Sequence, residues 1–343
     1  MPDLTVIQVI PHNRPGGMQL VARQLDTGLP AHGISSSILD LERWTAGSGR
    51  RAMRRLRGWF RLIAAFRRQS PDGVLAHTVL NALYSLPAAR LAGVPHGWLV
   101  VHGTRDGMGR LRVALIDLLC RTGLATGVIC CGHAVRDSYR ELGGAVQRRM
   151  HVVQNGVRLP ESIPTTVPTE PAPGLALVTA CRLDPEKDLP TAIEACALAH
   201  SPIHLTICGQ GRSRTELETL ARQLNAPVQF AGNLGRNELA GLFAACDVFL
   251  FTTRHEGMPL VLIEAAAAGL PVIASDLAAN REVMGGAAHY CPVGDAAAFA
   301  AAIDLLAATP EYGDRMRAAG QRQVAEFTVE RMVAGYAALL GRG

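Results

Sequence analysis

Residues 248–265 read VFLFTTRHEGMPLVLIEA, and this stretch decides the fold class. Val248 to Phe251 form a continuous apolar run of strand length, the pattern of a strand buried on both faces of a parallel sheet. A polar loop follows. Pro259 then leads an apolar run of helical length, 259–268, and proline suits the first position of a helix. The unit is strand, loop, helix, with the loop at the carboxyl end of the strand, where α/β folds bind ligands. Gly257 leaves the turn before the helix open to a ligand. The helix N-terminus offers free N–H groups and a positive dipole worth ~0.3–2 kcal/mol to an anion. Glu256 precedes the helix and Glu264 lies in its second turn; carboxylates accept hydrogen bonds from ligand hydroxyls. On one straight helix the two would stand ~12 Å apart. A retaining glycosidase pair stands ~5–5.5 Å apart, so the spacing argues against two carboxylates flanking one glycosidic bond.

The same alternation runs outward in both directions. In the first half, strands are expected at 6–10, 36–39, 73–76, 98–101, 128–131 and 151–153, with helices at 17–31, 50–68, 79–92, 110–122 and 133–143. A second series has strands at 175–180, 204–208, 228–230, 248–251, 272–274 and 289–291. Helices at 188–199, 214–224, 236–245, 259–268 and 296–307 separate them. Between the two series, 158–174 holds Pro160, Pro164, Pro168, Pro171 and Pro173 among Ser and Thr, and reads as a linker. Two successive βαβα series predict an α/β chain of two doubly wound, Rossmann-like domains, 1–160 and 174–325, facing a central cleft. The last segment, 315–340, reads as helical, and the portion from about 326 to 343 is expected to pack back on the first domain.

Composition excludes several classes. Of 343 residues, 48% are hydrophobic and 18% charged, which rules out a disordered chain. The longest stretches free of charge, 73–89 and 195–211, are broken by polar residues and fall short of the ~20 apolar residues of a membrane span. The N-terminal apolar run is strand-sized and lacks a basic leader, so no signal peptide is expected. Eight cysteines show no CxxC spacing, which fits buried reduced thiols of a cytoplasmic protein better than zinc or disulfides. The net charge of +5 hides an asymmetry. Residues 1–160 carry 21 arginines against 9 acids, and 161–343 carry 13 basic residues against 20 acids. Lys187 is the only lysine.

Further loops could carry chemistry. Gly16-Gly17 follows the first strand and opens a helix, where paired glycines permit close backbone approach to an anion; an ordinary βα turn is the bland alternative. Gly209-Gln210-Gly211 follows another strand, but Arg214 stands where a dinucleotide fingerprint needs its third glycine. In Arg182-Leu183-Asp184-Pro185-Glu186-Lys187, two cations five residues apart can converge on a diphosphate, with Arg as a planar fork and Lys as a point charge. The alternative is a solvated loop whose cations pair with Asp184, Glu186 and Asp188. His102 ends a first-domain strand, but His12, His77 and His133 sit at comparable edges. No histidine–carboxylate cluster suggests a metal.

The segment 49–69 holds eight arginines and no acid. On a helical wheel six of them share one face, all but Arg55 and Arg67. Met53, Leu56, Trp59, Phe60, Ile63 and Phe66 share the other. This is the layout of an interfacial amphipathic helix, and equally of a core-facing helix with a solvated basic face. Nucleic acid is disfavoured, since no aromatic-rich strand motif lies nearby.

Taken together, these motifs resemble the family 4 glycosyltransferases, which have the GT-B fold. The resemblance runs from Gly16-Gly17 through Asn155-Gly156-Val157, Arg182 to Lys187, Gly209-Gln210-Gly211 and Phe230-Ala231-Gly232 to Glu256-x7-Glu264. It implies a sugar-nucleotide donor held mainly by the second domain. Arg182 and Lys187 match the pair that neutralises the leaving diphosphate. Glu256 matches the residue touching the donor sugar, and Glu264 the one binding the ribose hydroxyls. Gly257, Met258, Pro259 and Leu260 match the backbone lining the sugar and phosphates. Gly16 and Gly17 match a loop closing over the phosphates, Gly209 and Gly232 further donor-site positions, and His102 a histidine near the reacting sugar. The sequence departs from the family at Cys131 (often Ser), Arg158 (often Asp) and Arg212 (often Pro or an acid).

The expected activity is retaining transfer of a hexose from a UDP- or GDP-sugar to a glycan or lipid-linked acceptor in bacterial surface-polysaccharide biosynthesis. The sugar nucleotide is a co-substrate, and neither cofactor nor metal is expected. Expected partners are the donor, the acceptor and an anionic membrane surface touched by helix 50–68, with no nucleic acid. The protein would be cytoplasmic, peripheral at the inner face of the cell membrane. Two alternatives stand beside this: a catalytically silent sugar-nucleotide-binding or scaffold subunit, and a nucleotide-sugar epimerase of the same fold.

Overall fold

A computed structural model of the chain describes residues 4–14, 16–46, 51–158 and 174–341, with 51 and 52 described by backbone alone. The proline-rich segment read as a linker lies outside the described residues except at its two ends, as do Pro15 and Arg50. Two compact units form: Met1–Gly156 together with Phe327–Gly343, and Val157–Glu326.

Each unit is built on one six-stranded sheet, parallel throughout. In the first, β1 (Leu4–Ile10), β2 (Ile34–Asp40), β3 (Gly73–His77), β4 (His96–Val101), β5 (Gly127–Cys130) and β6 (Met150–Val152) lie in the order β2-β1-β3-β4-β5-β6. In the second, β7 (Leu175–Ala180), β8 (Ile203–Cys208), β9 (Val228–Gly232), β10 (Val248–Phe251), β11 (Val272–Ser275) and β12 (Ala288–Cys291) lie in the order β12-β11-β10-β7-β8-β9. The inner strands β3, β5, β10 and β11 are buried at every residue, because helices cover both faces. Edge strands such as β9 and β12 are only half-buried.

In both orders the chain builds outward one way, then returns to the other side of its first strand. The reversal falls between β1 and β3 in one unit and between β7 and β10 in the other. Loops leaving those two strands part to opposite faces, and the crevice between their carboxyl ends is where doubly wound sheets bind ligands.

Three helices depart from expectation. The helix foreseen over 133–143 stops at Ser138, where Tyr139 leaves helical geometry (φ −101°, ψ 12°), and a short helix Gly144–Gln147 follows the turn. The segment 315–340 is two helices, Pro310–Val324 and Val329–Leu340. Thr328 is extended between them and its Oγ1 accepts from Arg331 N at 3.2 Å, an N-cap the periodicity conceals. Ala278–Met284 is a helix that the strand-and-helix reading passed over.

The second of the split helices, Val329–Leu340, packs on Gly17–Gly28, with Val333 against Gly28 and Val153 against Gly335. All eight cysteines are free, six of them fully buried. Burial pushes the thiols of Cys130, Cys181 and Cys196 up to about 12, so these three are not thiolates near neutrality.

Helix Arg51–Gln69 divides its apolar face in a way the wheel did not foresee. Leu62, Ile63, Ala65 and Phe66 are buried. Trp59 is half-buried, its Nε1 donating to Tyr84 O at 3.0 Å. Met53, Leu56 and Phe60 are instead 51, 55 and 58% exposed. They share the outer surface with exposed Arg57, Arg61, Arg67 and Arg68.

Candidate active site

The second unit concentrates candidate residues at its reversal point. The loop leaving β7 makes one 3-10 turn, Pro185–Lys187, and ends on Asp188 in a left-handed conformation (φ 49°). The loop leaving β10 runs beside it. Arg254 N donates to Glu186 O at 2.9 Å, and Thr252 Oγ1 to Lys187 O at 3.3 Å. Arg254 pairs with buried Asp188 at 2.8 Å, and Thr191 Oγ1 donates to the same carboxylate at 3.0 Å. These bonds fix Lys187 before its side chain is considered. Its Nζ then lies 2.5 Å from Glu256 Oε1, with the two side chains 16 and 10% exposed. Thr253 Oγ1 is 3.1 Å from the same oxygen, and the Phe251 ring centroid is 5.8 Å from Nζ. A largely desolvated ion pair of this kind is held by surrounding hydrogen bonds as much as by its own attraction.

Arg182 behaves differently. Its guanidinium is 62% exposed and paired with Asp184 at 2.5 Å and Glu186 at 2.9 Å. The two cations of this loop are therefore committed to different acids. The solvated-loop alternative describes Arg182 as placed here, and does not describe Lys187.

Glu256, Gly257 and the next two residues lead into helix Leu260–Ala267. Pro259, expected at the first helical position, is the N-cap instead, with ψ 101°. Gly257, Met258, Pro259 and Leu260 are all buried. Burial raises the pKa of Glu264, and Arg236 Nη2, 3.8 Å from its Oε1, partly offsets this. Arg236 was not singled out in the sequence; its signal is its position opening the helix after Phe230-Ala231-Gly232.

Gly209 and Gly232 are brought together, Gly209 N donating to Gly232 O at 2.7 Å. Gly209 has φ 134°, and a Cβ there would meet Cys181 O at 1.9 Å. A Cβ on Gly211 would meet the Leu183 backbone at 2.4 Å. The Gly-x-Gly pair thus lets two loop backbones touch.

In the first unit, Gly16 caps helix Gly17–Gly28 with extended backbone (φ 171°), and an added Cβ would meet only the end of the flexible Gln19 side chain. The local fold itself does not demand glycine there. His102 follows β4 and lies 3.0 Å from His77, the last residue of β3. Burial lowers the pKa of His102 to about 4, leaving a neutral imidazole at physiological pH. Among the described residues no group of three or more His, Cys, Asp or Glu is arranged to hold a metal ion.

The two doubly wound units define the class: this is the GT-B fold of glycosyltransferases. Anabaena Alr3699/HepE, in its crystal structure with UDP-glucose, superposes with a TM-score of 0.82 at 18% identity, over 99% of this chain and 100% of that one. Sucrose-phosphate synthase from Thermosynechococcus elongatus gives 0.82 at 18%, over 99% and 98%. In sequence, residues 15–160 match Glycosyltransferase Family 4 and residues 170–323 match Glycosyl transferases group 1. The chain belongs to the family 4 glycosyltransferases. It is 29% identical to the glycogen synthase of Mycobacterium tuberculosis over 310 residues, 84% of this chain and 72% of that protein. It is 27% identical to the lipopolysaccharide core biosynthesis glycosyltransferase LpsE of Rhizobium meliloti over 220 residues, 62 and 63% of the two chains.

Proposed function

We propose that this glycosyltransferase moves a hexose from a UDP- or GDP-sugar to a glycan or lipid-linked acceptor of a bacterial surface polysaccharide, with retention at the anomeric carbon and without a metal. The observation that carries the reading is the Lys187–Glu256 pair, set at the β7/β10 reversal beside the N-terminus of helix Leu260–Ala267. As the sugar departs, negative charge grows on the diphosphate. A fixed ammonium, a helix dipole and the exposed Arg182 guanidinium would stabilise that charge, the work a metal does elsewhere. Glu256 would then meet the donor sugar and Glu264 the ribose hydroxyls. Gly16, whose extended backbone does not itself require glycine, and Gly17 would admit a phosphate. UDP-glucose in HepE, and the part of LpsE in lipopolysaccharide core synthesis, support the donor class and the acceptor class.

Labelled UDP- and GDP-hexoses incubated with lipid-linked acceptor extract test this. One donor is expected to give product with its original anomeric configuration, at a rate unchanged by EDTA. Loss of activity in EDTA with recovery in Mg²⁺ would refute the metal-free reading, and inverted product the retaining one.

Membrane contact forms part of the proposal. Met53, Leu56 and Phe60 stand exposed among arginines that contribute ~1 kcal/mol each near anionic lipid. No helix among the described residues is long and apolar enough to cross a membrane, so the contact would be peripheral. Vesicles containing phosphatidylglycerol are expected to bind the protein at low salt and release it as salt rises, while phosphatidylcholine vesicles do not bind. Exchanging the three apolar residues for serine should abolish the binding. Equal affinity for both lipids would rule the contact out.

A further inference from the structure

The polar side chains under His102 carry an inference about its chemistry. Gln8 and His77 are wholly buried in the first unit, on β1 and β3 at its reversal point. Gln8 Nε2 donates to Ala22 O at 3.0 Å and to Ser36 Oγ at 2.9 Å. A backbone carbonyl only accepts, so the amide nitrogen is fixed on that side and Oε1 faces His77 Nε2, 3.1 Å away. The amide oxygen also only accepts; His77 Nε2 therefore carries the ring's proton, and Nδ1 of the neutral ring is bare. That Nδ1 lies 3.0 Å from His102 Nε2, with the ring planes 15° apart, so the contact is an in-plane N–H···N bond donated by His102. The turn after His77 is held as well. Thr78 has φ 92°, its N–H donates to Val100 O at 3.2 Å, and Asn81 Nδ2 donates to His77 O at 2.6 Å. Strain of this kind persists where the surroundings over-determine a conformation.

We propose that Gln8 and His77 are positioning residues that hold His102 with its proton on Nε2 and a bare Nδ1, so that His102 accepts a hydrogen bond from a hydroxyl of the bound sugar and does not donate to a phosphate. One ring nitrogen's partner decides the state of the other, and here the chain of partners ends on a carbonyl that cannot reverse. A phosphate oxygen offers no proton to a bare nitrogen, whereas a sugar hydroxyl does. Burial keeps both rings neutral and so preserves the polarity of the relay. The inference rests on the proposed sugar transfer for its ligand, and on geometry alone for the tautomer.

Nitrogen-15 spectra of histidine-labelled protein test the tautomer directly. His102 and His77 are each expected to show a protonated Nε2 and an unprotonated Nδ1, unchanged between pH 8 and pH 5. A protonated Nδ1 on His102, or an imidazolium at pH 6, overturns the proposal whether or not the protein transfers sugar. In turnover, His77→Leu removes the acceptor and is expected to lower kcat about tenfold while the donor KM stays within about twofold, the scale at which orienting partners act elsewhere. His77→Asn, which keeps a carbonyl oxygen near the Nδ1 position, should recover most of that loss. Should His77→Leu fail to fold, the unsubstituted spectrum and His77→Asn still decide. The expected spectrum without transfer from any sugar nucleotide would refute the sugar-transfer reading and with it the ligand assigned to His102, leaving the tautomer intact.

Discussion

Replacing Lys187 by alanine is expected to slow sugar transfer by about 10²–10³-fold, the loss seen when one preorganised charge-stabilising group is removed from a buried site. The effect follows from how much of the surrounding loop exists to hold this ammonium. Its carbonyl is tied to Thr252, its neighbour Glu186 to Arg254, and its Nζ to Glu256 at 2.5 Å. Lys187→Arg keeps the charge, but its planar fork does not fit a site shaped for a point charge, so a loss of at least about tenfold is expected there too. Stability separates catalysis from folding. Either partner alone, left charged and largely buried, costs about 3 kcal/mol or more. The double variant Lys187→Met/Glu256→Gln removes both charges and should regain most of that stability, read from urea midpoints, without regaining activity. If Lys187→Ala turns over within a few-fold of the parent, Lys187 does not stand at the diphosphate. Arg182→Ala, whose side chain is exposed and paired within its own loop, should cost stability little and turnover less than Lys187→Ala does.

Gly156→Ala is the second large effect. It is expected to destabilise the first unit by about 3 kcal/mol, at the upper end for overpacking. A Cβ at Gly156 would sit 2.0 Å from Thr328 O and 2.7 Å from Val329 N, and both are backbone atoms at the start of the C-terminal helix. Neither can swing aside as a side chain would. Helix Val329–Leu340 must therefore lift from its seat, and hydrogen exchange should show its amides losing protection before those of β7 to β12. Gly286→Ala, where an added Cβ meets nothing within 4 Å, is the control and should change stability by less than ~0.5 kcal/mol. An unchanged urea midpoint for Gly156→Ala would mean that the helix does not pack on this backbone.

The strands and most helices were legible because the inner strands of a doubly wound sheet are buried on both faces. They appear as short apolar runs between helical periods, and β7 and β10 fall where the runs predict them. What escaped was decided by caps and packing. Thr328 starts a new helix through a single side-chain bond inside a segment whose periodicity runs straight through it. The apolar face of Arg51–Gln69 looked continuous on a wheel, yet helix Val79–Ala92 covers only part of it. At the site, residue types were legible and partners were not. Arg182 and Lys187 look alike in sequence, but one pairs within its loop and the other with a residue 69 positions away. The relay beneath His102 likewise spans 69 positions, from Gln8 to His77.

The sequence by itself determined two doubly wound units, their strands, the loops that carry the chemistry and a lone lysine in one of them. Tertiary structure decided which of those loops meet. Strand order places β7 beside β10 and β1 beside β3, and only that order sets Lys187 against Glu256 and Gln8 against His77. Burial does the rest: it removes the water that would otherwise share those polar atoms, so each must take the partner the sheet puts within reach.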